Sequence, residues 1–367
     1  MQNTGLIYSY NNLIMMSVVL ISISMLDTIY PLARYVKYIV PVVFVIILSL
    51  KVVKSDLKNI HPVFFAFIIF NFWGLFISFV MTGSVKSLGL NDSLFIASYI
   101  LPLCFFYTNT ISIEKVFFIF TFFFAISCLG IEYQSFSMEN STAPFESGAS
   151  FVFGVFFLYF LFQKNYKLMI ISIIFLMLSL KRIAFLGVFI CMAVYFLPEK
   201  YKKVILSKYS FIFFNFICLA IILGLGFGVY DDIIIQLTGM NVHHFTMGRF
   251  SHYQGVIQEI EAHPWSLIFG NGIGTTYDLA SIYVNTDFTV VNLHSDTLKI
   301  FFESGFIVFS LFFLFLGRAR KTTSKLIMLY LVVLLFTDNV LIYLGTMFFV
   351  LLIFLKLENS SENEIKF

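Results

Sequence analysis

The sequence predicts an all-α, polytopic integral membrane protein, and three observations carry that expectation. Of 367 residues, 60% are hydrophobic and only 12% are charged, against about a quarter charged in an ordinary soluble domain. So little polar surface cannot clothe a water-soluble globule. The apolar residues fall in long continuous runs, too long for barrel strands, and in hydrocarbon a lone segment satisfies its own backbone N–H and C=O groups only as a helix. The charges, finally, are sorted between alternate loops rather than scattered.

Each run ends at charges or turn residues, which gives about twelve spans in order. The first, 12–28, contains the apolar stretch from about Leu13 to Leu26; it lacks a basic leader and a small-x-small cleavage site, so it reads as a span rather than a removable signal peptide. Spans follow at 35–50, closed by Lys51; at 62–82, opened by Pro62; at 94–109; and at 116–131, after Lys115. The next are 149–163, closed by Lys164; 167–181; 183–198; and 209–229, opened by Lys208. The last three are 298–316, 326–337 and 340–356, the final one closed by Lys356. The whole, 1–367, is one membrane domain with a large external loop at 230–297 and a polar tail at 358–367. A further loop, Glu132 to Ser147, is acidic and aromatic, with Glu132, Tyr133, Phe136, Glu139 and Phe145; it is solvated loop or a grip for sugar.

Placing the amino terminus inside puts sixteen of the 23 lysines and arginines in cytoplasmic segments and fourteen of the 20 carboxylates outside. Both termini then lie in the cytoplasm and the 230–297 loop lies outside. A net charge of +3 spread in this way makes no nucleic-acid surface. The four cysteines, Cys104, Cys128, Cys191 and Cys218, sit inside apolar runs without redox or metal spacing. His61, His243, His244, His252 and His263 likewise show no regular ligand spacing, so neither a metal nor a cofactor is expected.

Within this frame a few polar residues stand out. Lys181-Arg182 interrupts an apolar stretch from Leu168 to Leu197. As one helix those residues would reach about 45 Å and bury two cations at about 2.5–3.5 kcal/mol each, so two short helices meeting at the charges are expected. Arg182 then lies near the outer headgroup plane, suited to a lipid-linked phosphate or to a snorkelling anchor. Arg249 is the only lysine or arginine in the external loop before the last helices; it opens a segment in which Phe250, Tyr253, Val256, Ile257 and Ile260 recur at helical spacing. That segment is expected to lie on the membrane surface and to end at Pro264. Its guanidinium would meet headgroup phosphates, or pair with Glu259 or Asp231. His294 precedes a helix beginning near Asp296, where the dipole disfavours imidazolium, so a neutral ring could serve as general base or remain structural. Asp296, Lys299 and Glu303 follow on one helical stripe, spaced to neutralise one another. Gly270-Asn271-Gly272-Ile273-Gly274 lacks the lysine and flanking strand of a phosphate loop and reads as a turn. No nucleotide-binding signature is present.

The stretch Arg182-Ile183-Ala184-Phe185-Leu186 resembles the Arg-x3-Leu element of the O-antigen ligase and O-antigen polymerase family. His294-Ser295, nine residues and then Gly305-Phe306-Ile307-Val308 is similar to that family's His-[Asn/Ser/Gln]-x9-Gly-x-x-[Gly/Thr/Val] element. Between them, Gly248-Arg249, Pro264 and the Gly270 to Gly274 run resemble the course of its external loop. The likeness covers about Leu168 to Gly345; the residue after the histidine is commonly Asn in the family and is Ser295 here.

The resemblance implies a multi-pass glycosyltransferase of the bacterial inner membrane, of the C-type membrane architecture, acting on the periplasmic side. Its donor would be an oligosaccharide on undecaprenyl diphosphate. Arg182 and Arg249 would hold the diphosphate and His294 would activate the acceptor hydroxyl; apart from the resemblance, Lys181, Asp296, Lys299 and Glu303 are candidates for a supporting role by their place beside these residues. Membrane lipid and a chain-length regulator protein are the implied partners. A polymerase of lipid-linked repeat units is the leading reading; a ligase transferring glycan to lipid A-core and a lipid-linked oligosaccharide flippase are the rivals, the last suggested by the number of spans.

Overall fold

A computed structural model of the chain describes residues 4–40, 60–104, 111–129, 148–179, 181–246, 248–283 and 293–360. All regular structure among them is helical. The helices are α1 (Thr4–Ile23), α2 (Pro62–Thr82), α3 (Ser87–Cys104), α4 (Ile113–Leu129), α5 (Ala149–Phe162), α6 (Tyr166–Leu178), α7 (Arg182–Phe196), α8 (Glu199–Ile205) and α9 (Lys208–Gly226). After these come α10 (Asp231–Thr238), α11 (Val242–Phe245), α12 (Arg249–Ala262), α13 (Ser266–Phe269), α14 (Thr276–Tyr283), α15 (Asp296–Leu316), α16 (Thr322–Thr337) and α17 (Leu344–Asn359). The loop with Glu132, Tyr133, Phe136, Glu139 and Phe145, most of the 35–50 span and the end of the tail lie outside the described residues.

Four segments are long and apolar enough to cross a membrane: Pro62–Met81, Ser87–Cys104, Lys208–Gly226 and Asp296–Leu316. Several others, among them α5, α6, α7 and α16, are apolar but shorter. At 13 to 16 residues these reach about 20–24 Å, less than a hydrocarbon core of about 30 Å. The all-α membrane class therefore holds, while length alone does not yield the expected twelve spans.

Large apolar side chains point away from the protein on several helices, including Phe72 on α2, Phe122 on α4, Phe189 on α7 and Phe213 on α9, each more than 60% exposed. A water-soluble protein does not present such a belt; a lipid-facing one does. At the centre, α16 and α17 are buried almost all round. Phenylalanines fill the interior edge to face: Phe117 meets Phe156 at 5.2 Å, and Phe120 meets Phe349 at 5.0 Å between ring centroids. Hydrocarbon is as apolar as these rings, so close packing rather than exclusion of water holds such contacts together. Tyr330 on α16 adds a bond across the bundle, its hydroxyl donating to the Phe151 carbonyl at 3.0 Å.

The break expected at Lys181-Arg182 is present: α6 ends at Leu178 and α7 begins at Arg182, with extended backbone at Lys181. A second break, after Thr337, separates α16 from α17 and faces the first. These breaks, the start of α15 and the α10 to α14 segment gather at one end of the bundle. At the other end His61 meets Glu358 at 3.3 Å, and Glu358 accepts the Arg320 N–H at 2.9 Å.

The 230–297 segment is not an open loop. Its described part is built of short helices α10 to α14. The apolar face of α12, expected to lie on the membrane, instead turns onto protein: His252, Tyr253, Gly255, Val256 and Ile257 are buried, and Tyr253 and Ile257 pack against Gly226 at the end of α9. Protein gives this face closer contacts than lipid headgroups would. Pro264 follows the end of α12 as expected.

Candidate functional site

The site begins with a helix start. Ser295 caps α15, its side chain accepting the Leu298 N–H at 3.3 Å. This is the N-cap role that Asn and Ser fill about equally well, which accounts for a serine after the histidine. One residue earlier, His294 adopts a left-handed backbone, φ 53°, uncommon for a side-chain-bearing residue and often found at functional positions.

Around that imidazole the structure collects groups far apart in sequence. Asp338, in the break after α16, binds Lys181 Nζ at 2.8 Å and accepts the Tyr343 hydroxyl at 3.1 Å. Arg249, at the start of α12, donates to the Thr337 carbonyl at 3.2 Å. The ion pair considered for it with Glu259 is not formed; Glu259 faces His263 at 3.0 Å. Burial holds the His294 ring below its ordinary pKa, the Arg249 guanidinium lowers it further, Asp338 opposes and Lys181 adds to the lowering. The expected neutral state thus arises chiefly from desolvation and a neighbouring cation.

His252, one turn along α12 from Arg249, is buried, and its Nδ1 meets no partner among the described residues. Its pKa is lowered by burial first, then by His294 and Arg249. Arg249, His294, His252, Lys181 and Asp338 therefore share one electrostatic neighbourhood. Arg182 adjoins Lys181 at the edge of it, with an exposed side chain and no carboxylate paired to it among the described residues.

The other expected supporting residues lie deeper. Asp296 accepts the Leu341 N–H at 2.7 Å, and its own N–H donates to the Asp338 carbonyl at 3.1 Å, so it joins α15 to the break after α16. Lys299 lies 4.0 Å from Glu303, but its nearest partner is Asp92 of α3, at 2.5 Å. The expected neutralisation along the stripe is present between Lys299 and Glu303, and Asp92 of α3 adds a closer partner across helices. Tyr277 completes the group, donating to Asp92 at 2.9 Å beneath the Lys299 ammonium, which lies 4.7 Å from its ring centroid. Glu303 accepts Thr276 Oγ1 at 2.6 Å and the Gly274 N–H at 3.0 Å. This buried network anchors the Gly270 to Gly274 turn against α2, α3 and α15.

Two glycines make that seating possible. Gly305 kinks α15 with φ 73°, and a Cβ there would lie 2.3 Å from the Ile268 carbonyl oxygen. Gly270, φ 84°, faces it, and a Cβ there would lie 2.3 Å from the Glu303 carbonyl oxygen. The glycine run is a turn docked into a broken helix. Among the described residues no three His, Cys, Asp or Glu side chains converge as metal ligands.

Three residues of this neighbourhood escaped the sequence. Asp338 had a usable signal, since Asp338-Asn339 interrupts apolar sequence just as Lys181-Arg182 does. His252 sits at helical spacing from Arg249, which would have placed it on the same face. Tyr343 carried no signal.

Comparison with curated proteins and with solved structures returns no match. Residues 168–313 match the family model described as O-antigen ligase, Wzy_C, and this segment holds Lys181, Arg182, Arg249, His252, His294, Asp296, Lys299 and Glu303. The match supports a relation of this segment to the O-antigen ligase and polymerase family, whose members are glycosyltransferase-type enzymes of polysaccharide synthesis.

Proposed function

We propose that this protein is a polysaccharide polymerase that joins oligosaccharide repeat units carried on undecaprenyl diphosphate at the periplasmic face of the inner membrane. The observation that carries the reading is a half-buried imidazole, His294, held neutral by burial and by the adjacent Arg249, at one end of an all-helical membrane bundle. A neutral base beside fixed cations suits a reaction in which a hydroxyl loses a proton while a diphosphate leaves.

In the proposed step, a hydroxyl at the non-reducing end of a fresh unit attacks the anomeric carbon of the growing chain. The new C–O bond forms as the bond to undecaprenyl diphosphate breaks, and the hydroxyl proton passes to His294. Arg249 and Arg182 bind the departing diphosphate, whose release supplies the driving force. Asp338 pairs with Lys181 and lies within electrostatic reach of His294. The distribution of lysine and arginine in the sequence supports an outward-facing site and cytoplasmic termini.

A second reading, the ligase that transfers glycan to lipid A-core, is favoured by the description of the matching family. One assay separates the possibilities. Purified protein in nanodiscs is supplied with undecaprenyl diphosphate-linked repeat units, with and without lipid A-core, and no nucleotide. A ladder of products supports the polymerase and a single transfer to lipid A-core supports the ligase. Translocation without new bonds would overturn both in favour of a flippase.

A further inference from the structure

A second cleft opens at the same end of the bundle, beyond the far end of α12. It has a volume of about 250 Å³, and its walls include Trp265, Glu259, His263, Asn271, Lys86 and Asp278. Glu259 follows His252 by seven residues on α12, about 10 Å along the helix, and Phe302, on another wall, follows His294 by eight residues, so the cleft adjoins the His294 neighbourhood without being part of it. That spacing matches the reach of a short oligosaccharide.

The chemistry of the walls narrows the class of ligand. Charges are present but paired: Lys86 bonds Asp278 across the cleft, and His263 Nδ1 lies 3.0 Å from Glu259. A cleft without excess positive charge has little attraction for phosphate, which argues against a lipid headgroup or free diphosphate. What remains is a set of planar amide and carboxylate groups, able to bond adjacent hydroxyls, beside an indole whose face can cover the C–H side of a pyranose ring. Trp265 is half-buried and held edge-on to His263, with ring centroids 6.4 Å apart, so it is positioned by protein rather than loose in the interface. The volume lies below that of a drug-sized pocket and suits one or two sugar rings.

The cleft is tied to the rest of the site. Asn271 belongs to the docked glycine turn, its N–H donating to the Phe302 carbonyl of α15 at 3.0 Å. One wall is therefore continuous with the helix that begins two residues after His294.

We infer that this cleft is a saccharide subsite, in which Trp265 and the polar groups of Glu259, His263 and Asn271 grip a sugar of the glycan about two helical turns along α12 from His252. The assignment of that sugar to the transferase substrate rests on the function proposed above; the cleft's affinity for saccharide does not.

The test uses the full chain in nanodiscs. The probe is the lipid-free, single-repeat oligosaccharide released by mild acid from undecaprenyl diphosphate-linked repeat units, titrated calorimetrically. Wild type and His294→Ala should bind it equally. Trp265→Ala should weaken binding about tenfold or more, the equivalent of about 1.4 kcal/mol, and in the transfer assay its loss should fall on KM rather than kcat. The double variant Glu259→Gln/His263→Ala, made at partly exposed positions, provides the same readout should the tryptophan variant fail to fold. Trp265-dependent binding without any transfer by wild type would overturn the transferase reading and leave the subsite standing. Transfer with binding and KM unaltered in both variants, or no binding by wild type, would overturn the subsite.

Discussion

Replacing Lys299 by Met removes the cation at the centre of the buried network and leaves its partners in place. The ammonium lies 2.5 Å from Asp92, 3.5 Å from the Tyr277 hydroxyl and 4.0 Å from Glu303, and its side chain is only 5% exposed. Methionine matches the aliphatic stem, so the change is one of charge rather than volume. Two carboxylates then lose their common counterion in a place water does not reach. Asp92 retains the Tyr277 hydroxyl, but Glu303 Oε2 has no bonding partner among the described residues. Removing one member of a buried ion pair costs about 3–5 kcal/mol. At about 2 °C per kcal/mol for a large domain, the unfolding midpoint should fall by roughly 6–10 °C. Thermal unfolding of the purified protein, followed by tryptophan emission, measures this directly. Adding Asp92→Asn should recover part of the loss, because the two residues are directly coupled. A Lys299→Met variant that unfolds within about 2 °C of wild type, or a double variant whose loss is the sum of the singles, would refute the network as the anchor of α15.

Because the His294 pKa is depressed, the imidazole is neutral above that lowered value. Transfer activity should rise with pH through a midpoint below the ordinary 6.5 and stay flat through neutrality. Arg249→Gln should move that midpoint upward, as read from a pH–rate profile of kcat/KM, in addition to lowering the plateau. Ser295→Ala should lower stability by about 1 kcal/mol through loss of the helix cap, whereas Ser295→Asn should leave the unfolding midpoint near that of wild type. Gly305→Ala forces a side chain into left-handed backbone and onto the Ile268 carbonyl; it should destabilise the protein by more than 1 kcal/mol and free the docked turn to protease.

The legible part of this molecule was whatever depends on near neighbours in the chain. Apolar runs gave the helices, the charge pair at Lys181-Arg182 gave the break between α6 and α7, and His294-Ser295 gave the helix start, each from a window of a few residues. The illegible part depends on partners far apart in sequence. Asp338 meets Lys181 across 157 residues and Asp92 meets Lys299 across 207, and no periodicity encodes such pairings. On α15, Asp296, Lys299 and Glu303 share a stripe, and Lys299 meets Glu303 along it, yet the closest partner of each sits on another element. The amphipathic pattern of α12 was read correctly as a face that needs covering, but a pattern cannot say whether lipid or protein covers it. The surface helix became a buried one for that reason.

In the proposed function the His294 imidazole, with Arg249 beside it, takes up the acceptor proton during glycosyl transfer from a lipid diphosphate. The most direct test of that role measures donor binding and product formation together for wild type and His294→Ala in nanodiscs supplied with undecaprenyl diphosphate-linked repeat units. The predicted result is donor binding within about twofold of wild type, with the rate of bond formation lower by a factor of about a hundred or more. Equal rates for the two proteins would contradict that role.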